Sequence, residues 1–321
     1  MAADSSVVRQ DTTLLSYCLQ KLETKIEPLL NNTLSPPLMY DTLYRGLISS
    51  SILKREVSTR SCIYNDHHYH YGYFVTASAM LKHLDYGYFV TASAMLKHLE
   101  LVSLGRRIFW TMLRDVANPS ADDKYFPRFR HFSWYLGHSY SHGVTSIDNG
   151  KDEESTSEDI NFYYGMTLWG RVTGNKAVED LGSLMLRLDA HAVRTYFLLN
   201  STIHPPAITH NHVTGIFFNN KVYYSTWFLD EVYAIHGIQM IPVSPINELA
   251  RTSTFVKQEW NDILSKEEIV TMKNSNNTWL SLLLVNAATI NPMDSLQKLK
   301  NATMGDGLSR SWALYNAATR G

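Results

Sequence analysis

Apolar residues recur with helical period from the start of the chain. Leu14, Leu15, Cys18, Leu19, Leu22, Ile26, Leu29 and Leu30 fall on one face of a helix spanning 11–31. Pro36 and Pro37 end it, and MYDTLYRGLISS reads as a loop. The next segment, CIYNDHHYHYGYFVTASAMLKHL, passes from a polar, His-rich start into a helix-forming tail. A helical stretch over 101–117 precedes the Pro- and Asp-rich loop NPSADDKYFPRF. The acidic stretch GKDEESTSEDINFYYG, residues 150–165, opens onto a helical pattern of Ile160, Tyr163, Tyr164, Thr167 and Leu168. Residues 176–199 predict an amphipathic helix ending at Asn200, and ITHNHVTGIFFNNKVYYSTW is more strand-like or loop-like. Helices resume near Ile235, over 245–263 and over 279–288. Sustained strand alternation is rare, so the pattern predicts one mainly helical domain, 1–321, over a β or α/β fold.

One segment is duplicated. YGYFVTASAMLKHL occurs at 71–84 and again, letter for letter, at 86–99. Structural repeats drift in sequence and usually run to about 20 residues or more. An unmutated copy at this short period reads as a recent duplication or a gene-model error. It would lengthen a helix by about 22 Å and turn its downstream face by roughly 60°.

Composition narrows the function classes. Of 321 residues, 45% are apolar, enough for a sizeable core, and 18% are charged, which excludes a wholly disordered chain. A net charge of -1 argues against a nucleic-acid partner. The 7 Trp and 19 Tyr suit a sugar-binding groove, and equally an ordinary core. Cys18 and Cys62 make no disulfide framework. The start MAADSSVVRQD shows no signal peptide. The longest apolar stretch, Trp279 to Ala288, is too short and too interrupted to span a bilayer, so no membrane partner is expected.

The chemistry concentrates in two places. In the acidic stretch, Ser155 and Glu158 have capping-box spacing, and Glu154 would lie beside the partly positive helix end. Glu154 and Glu158 can share one helix face. The plainer reading is a helix start behind a solvated acidic run. The second place is Tyr64–Gly72. Of its three histidines only His67 and His70 have ligand spacing, with no Glu between them, so neither a metal nor any cofactor is expected. Asp66 would sit among Tyr64, Tyr69 and Tyr71, which raise its pKa as a general acid needs, whereas protonated histidines would lower it. Two carboxyls on separate loops suggest glycoside hydrolysis. No G-x-S-x-G elbow supports Ser139 as a nucleophile, and no phosphate-binding glycine pattern is present.

YNDHHYHYGYF, RDVANPSADDKYFPRFRHFSWYLGHS, NGKDEESTSEDINFYYG, HGIQMIPVSPINEL and GDGLSRSWALYNAATRG together resemble the family 81 glycoside hydrolases, endo-1,3-β-glucanases of fungi, plants and some bacteria. The resemblance implies an all-α (α/α)6 barrel and inverting hydrolysis of 1,3-β-glucan. The β-sandwich domain that usually precedes that barrel does not fit in this chain, which reads as a catalytic domain alone and an incomplete one. By position, the resemblance makes Asp66 the general acid, Glu154 the base that activates water and Glu158 the second acidic residue of that motif. It implies substrate contacts at Asp41, Tyr64, His67, His70, Trp134, His138, His236 and Gln239, although His236 could equally cap a helix in the core.

Some positions depart from the family pattern. Tyr44 and Arg45 stand where Trp and Gly are expected, Tyr140 where a Trp is usual, and Asp152 and Glu153 replace amides, which would raise the Glu154 pKa. The implied partner is 1,3-β-glucan, acted on by a monomer, and the family suggests a secreted or cell-wall location. The duplication lies between acid and base, and inversion needs the two carboxyls roughly 6.5–9.5 Å apart. A catalytically impaired glucan-binding remnant, or a non-functional gene fragment, is therefore the alternative.

Overall fold

The leucine periodicity near the N-terminus forms the expected helix, α1 (Thr12–Leu30), which buries Ile26 and Leu29. Asn32 ends it in the left-handed region at φ 51°, and its side chain bonds both the N–H and the C=O of Leu38. The computed structural model describes residues 12–50, 64–85, 107–144, 147–272, 275–305 and 307–320. The second copy of the duplicated segment, 86–99, lies outside the described residues, and with it the expected consequences for a lengthened helix.

MYDTLYRGLISS is not a loop but a β-hairpin, in which Leu38–Asp41 pairs antiparallel with Gly46–Ser49 from Leu38↔Ser49 to Asp41↔Gly46. Its turn is built by Asp41, whose carboxylate accepts the N–H groups of Leu43 (2.9 Å) and Tyr44 (3.1 Å). Gly46 then lies so close to its neighbours that a Cβ would meet Asp115 Oδ1 at 2.3 Å, Arg130 Nη2 at 2.4 Å and Tyr64 Cε1 at 2.5 Å. Gly46→Ala is expected to cost about 1–3 kcal/mol by overpacking, read as a lower urea midpoint.

Contacts divide the chain into two compact units. The first comprises Met1–Tyr135, Ser139–Ser146 and Phe162–Met185. It holds α1, the hairpin, α2 (His67–Asp85), α3 (107–117) and the adjoining parts of α4 (Thr156–Thr173) and α5 (Lys176–Ala192). Val75, Phe109, Met112, Phe162, Tyr163, Met166 and Trp169 are buried here, with Phe109 and Trp169 edge to face at 5.5 Å. Gly165 closes the acidic motif because α2 runs against it: a Cβ there would meet Thr76 Oγ1 at 2.4 Å.

The second unit comprises Leu136–His138, Ile147–Asn161 and Leu186–Gly321. In it α5 passes into a π-helical stretch, Val193–Phe197, and ends at the Leu198↔Val213 bridge, near the expected Asn200. The strand-like segment forms Ile216–Phe218 and Val222–Tyr223. Helices α6 (Val232–Gly237), α7 (Ser253–Asp262) and α8 (Trp279–Ala287) lie where periodicity placed them. Two more, α9 (Pro292–Leu299) and α10 (Arg310–Ala318), were not expected from the periodicity. Their caps were legible: Asn291 accepts the Asp294 N–H ahead of Pro292, and Ser309 accepts that of Trp312. Leu282, Val285, Leu299, Ala313 and Ala317 form their common core. Among the described residues no strand exceeds four residues, so the class is the mainly helical one expected, and no helix is long and apolar enough to cross a membrane.

Candidate active site

The acidic run is a strand leading into a helix. Asp152 and Glu153 pair antiparallel with Phe218 and Phe217, and α4 begins at Thr156, directly after the expected cap Ser155. The N–H groups of Glu158 and Asp159 both reach the Ser155 carbonyl. The run is not solvated: Asp152 is 2% exposed, Glu153 0%, Glu158 8% and Asp159 1%. Glu154 alone of the five is half-buried. Burial, and next the charges of Asp159 and Glu153, push the buried Asp189 carboxyl of α5 far above the carboxylate range.

Glu154 is fixed from several directions. Its Oε1 accepts the backbone N–H of Trp227 at 2.8 Å, and the Trp227 indole N–H donates to Asp152 Oδ2 at 2.9 Å. The Gln239 amide donates to the Glu154 carbonyl, and its oxygen accepts from the Thr156 hydroxyl at 2.6 Å. Ser155 donates to the Ile238 carbonyl (3.1 Å) and Ser157 to that of Ile241 (2.6 Å). Gln239, expected in the groove, is thus a buried clamp on the segment that carries Glu154. Trp227, 39% exposed, was missed by the sequence reading although the aromatic run YYSTWF surrounds it.

His236 is fully buried, with Nδ1 at 2.7 Å from Glu259 Oε1 and Nε2 at 2.9 Å from the Tyr224 hydroxyl. The core alternative, not the groove, describes its place. Glu259 in turn pairs with the buried Arg251. His138 is buried too, edge-on to Phe197 (5.1 Å) and Phe217 (5.8 Å).

In the first unit the geometry centres on the turn Tyr64–Asp66 ahead of α2. Tyr64 and Asp66 both have left-handed backbone, φ 70° and 61°, a conformation that costs about 1–3 kcal/mol per residue and persists only where surroundings enforce it. Here the Tyr64 hydroxyl donates to Asp41 Oδ2 (2.8 Å), Asn65 Oδ1 accepts the Gly143 N–H (2.7 Å) and the Asp66 N–H donates to the Ser141 carbonyl (2.8 Å). Burial pushes the Asp41 carboxyl up, but the Tyr64 hydroxyl, the Leu43 and Tyr44 amides and the Arg130 charge outweigh it and hold Asp41 below the usual range. The Arg130 guanidinium lies over the Tyr64 ring at 4.0 Å and reaches Asp115 Oδ1 at 3.1 Å. Asp115 Oδ2 meets His67 Nδ1 at 2.7 Å. Asp41, Tyr64 and His67 thus belong to one network that braces the Asp66 turn. His70 is exposed, and Trp134 stands 44% exposed between the rings of Phe129 and Phe132.

His68 and His131 lie in the same region, both buried, with ring centroids 5.0 Å apart. Burial foremost, and the neighbouring histidines next, hold both well below the ordinary imidazole range. Unfolded histidines protonate near pH 6.5. Below that pH the unfolded chain binds more protons, so stability falls as pH drops from about 6.5. The urea midpoint is expected to decline between pH 7 and 5.5, and less steeply in His131→Gln; a flat midpoint would contradict the neutral assignment.

Comparison with known proteins identifies the family. Residues 2–314 match the glycosyl hydrolase family 81 C-terminal domain. The chain is 36% identical over 318 residues to the primary septum glucan endo-1,3-beta-D-glucosidase of Schizosaccharomyces pombe, covering 96% of this chain and 30% of that protein. It is 33% identical over 319 residues to glucan endo-1,3-beta-D-glucosidase 2 of Saccharomyces cerevisiae, covering 97% and 40%. A solved structure, glycoside hydrolase family 81 from Clostridium thermocellum, shares the fold with a TM-score of 0.77 at 20% identity, over 98% of this chain and 42% of that one. The chain spans less than half the length of these relatives. With residues 2–314, nearly the whole chain, matched to the family's C-terminal domain, the chain belongs to glycosyl hydrolase family 81.

Proposed function

We propose that the chain hydrolyses internal 1,3-β-glucosidic bonds with inversion, Asp66 acting as general acid and Glu154 as general base. The Asp66 carboxyl gives its proton to the glycosidic oxygen as the bond to C1 breaks. Glu154 takes a proton from the water that attacks C1 from the opposite face. The matched relatives from the two yeasts are glucan endo-1,3-beta-D-glucosidases, which supports the substrate class. The observation that carries the roles is exposure: Glu154 is the half-buried member of an otherwise buried acidic run, with the Trp227 N–H on its carboxylate and the Gln239 amide on its backbone carbonyl. Glu158, buried in the first turn of α4, has the position of a residue that orients the water or the base. Asp41, Tyr64 and His67 brace the acid's turn, while Trp134 and Trp227 offer exposed rings to a sugar. On this reading the substrate is a cell-wall-type glucan, one copy of the chain carries both carboxyls, and no cofactor takes part.

Incubation with laminarin and chromatography of the products tests the activity. A ladder of oligosaccharides is expected from the wild-type chain and none from Asp66→Asn. Binding of laminarin by the folded protein without any cleavage would overturn the reading in favour of a glucan-binding remnant. A second test concerns the indole. Trp227→Phe keeps the backbone N–H on Glu154 but removes the donor to the buried Asp152 carboxylate, a charged hydrogen bond worth about 1.5–3 kcal/mol. Its unfolding stability is expected to fall by about that amount, read from the urea midpoint, and a midpoint equal to the wild type's would contradict the indole's hold on the segment.

A further inference from the structure

A small crevice in the second unit, about 30 Å³ in volume, is lined by Met240, Asn247, Arg251, Asn316 and Arg320, with the Glu248 carboxylate, paired to Arg320, also on its wall. Its polar lining is unbalanced. Arg251 Nε and Nη1, Arg320 Nε and Asn316 Nδ2 are buried donors with no hydrogen-bond partner among the described residues, against one such acceptor, Asn247 Oδ1. The remaining groups of these side chains are spent. Arg251 Nη2 pairs with Glu259, Arg320 Nη2 with Glu248, and Arg320 Nη1 with Asn316 Oδ1. Asn247 Nδ2 donates to the Pro242 carbonyl at 3.1 Å, which fixes its amide orientation. Arg251 is 4% exposed and Asn316 1%. Buried donors left unmet cost about 1–3 kcal/mol each, so the site calls for an acceptor-rich occupant.

We propose that this crevice binds a monatomic anion, chloride under ordinary conditions. Its volume matches about two waters or one such ion, too little for a carboxylate-bearing metabolite or an oxyanion with a hydration shell. Two arginine side chains and the Asn316 amide leave four unmet donors against the one unmet acceptor of Asn247, and charge-assisted bonds to an anion are stronger than those to water. The position gives the ion a structural task. Met240 follows the clamp Gln239, and Ile241 accepts from Ser157, so the anion fastens the outer side of the segment that holds Glu154 and α4. This inference does not depend on the catalytic roles.

The test measures unfolding of the purified chain in sodium chloride against sodium gluconate at equal ionic strength. Saturable, chloride-specific stabilisation is expected, with an unfolding constant lower by about a hundredfold once chloride stands at ~100 times its Kd. Asn316→Asp keeps the Oδ1 acceptor for Arg320 and places a second oxygen where the donor was, so it should fold and lose the chloride dependence. Crystals grown in bromide should show an anomalous peak in the crevice. Equal stability in both salts, or a crevice containing only water in bromide crystals, would overturn the proposal.

Discussion

Glu154→Gln is expected to lower kcat on laminarin by about 10²–10⁴-fold, the range a positioned acid or base contributes, while leaving the unfolding midpoint nearly unchanged. The two expectations belong together. The introduced amide would keep an oxygen for the Trp227 N–H, and the backbone of the segment is held independently by Gln239, Ser155 and Ser157. Only basicity is removed. A variant that lost both activity and stability would instead show that the carboxylate is structural. Asp66→Asn should likewise lower kcat on laminarin by about 10²–10⁴-fold. Glu158→Gln should be milder in kcat if Glu158 orients a group and does not itself take the proton.

Glu259→Leu should have the largest effect on stability. Burial pushes the Glu259 carboxyl up, but the Arg251 charge, aided by His236, outweighs it and keeps Glu259 ionised. Removing the carboxylate leaves the buried Arg251 guanidinium uncompensated and takes the partner from His236 Nδ1. Breaking a buried pair on one side costs about 3–5 kcal/mol, a large share of the roughly 5–15 kcal/mol by which domains are stable. The double variant Arg251→Met/Glu259→Leu should recover part of the loss, since it removes the stranded charge as well. Urea unfolding of both variants checks this, and a single variant as stable as the wild type would contradict it.

Much of the helical framework was legible because long amphipathic helices announce themselves by period, as α1 and α5 did. The hairpin at Leu38–Ser49 was not, because its strands are four residues long and its register rests on Asp41 and Gly46, not on alternation. The acidic stretch showed its helix start through Ser155 and its likeness through ESTSE, yet its burial was hidden. Charge runs are solvated unless tertiary partners exist, and those partners, Trp227 and Gln239, lie some seventy to ninety residues downstream. Tertiary partners explain the histidines as well. His236 and His138 carry sugar-binding chemistry in isolation, but Glu259 and Tyr224 engage the first and aromatic rings enclose the second. Asp66 stood out among tyrosines from the start; its left-handed backbone did not.

The stereochemistry of the first product tests the central claim most directly. Proton NMR during the first minutes of laminarin hydrolysis, before mutarotation, reports the configuration at the newly formed reducing end. Attack by a water that Glu154 deprotonates, opposite a leaving oxygen protonated by Asp66, gives the α-anomer first, with β appearing later by mutarotation. A β-anomer formed first would mean retention and a covalent intermediate, and would contradict the roles assigned to both carboxyls.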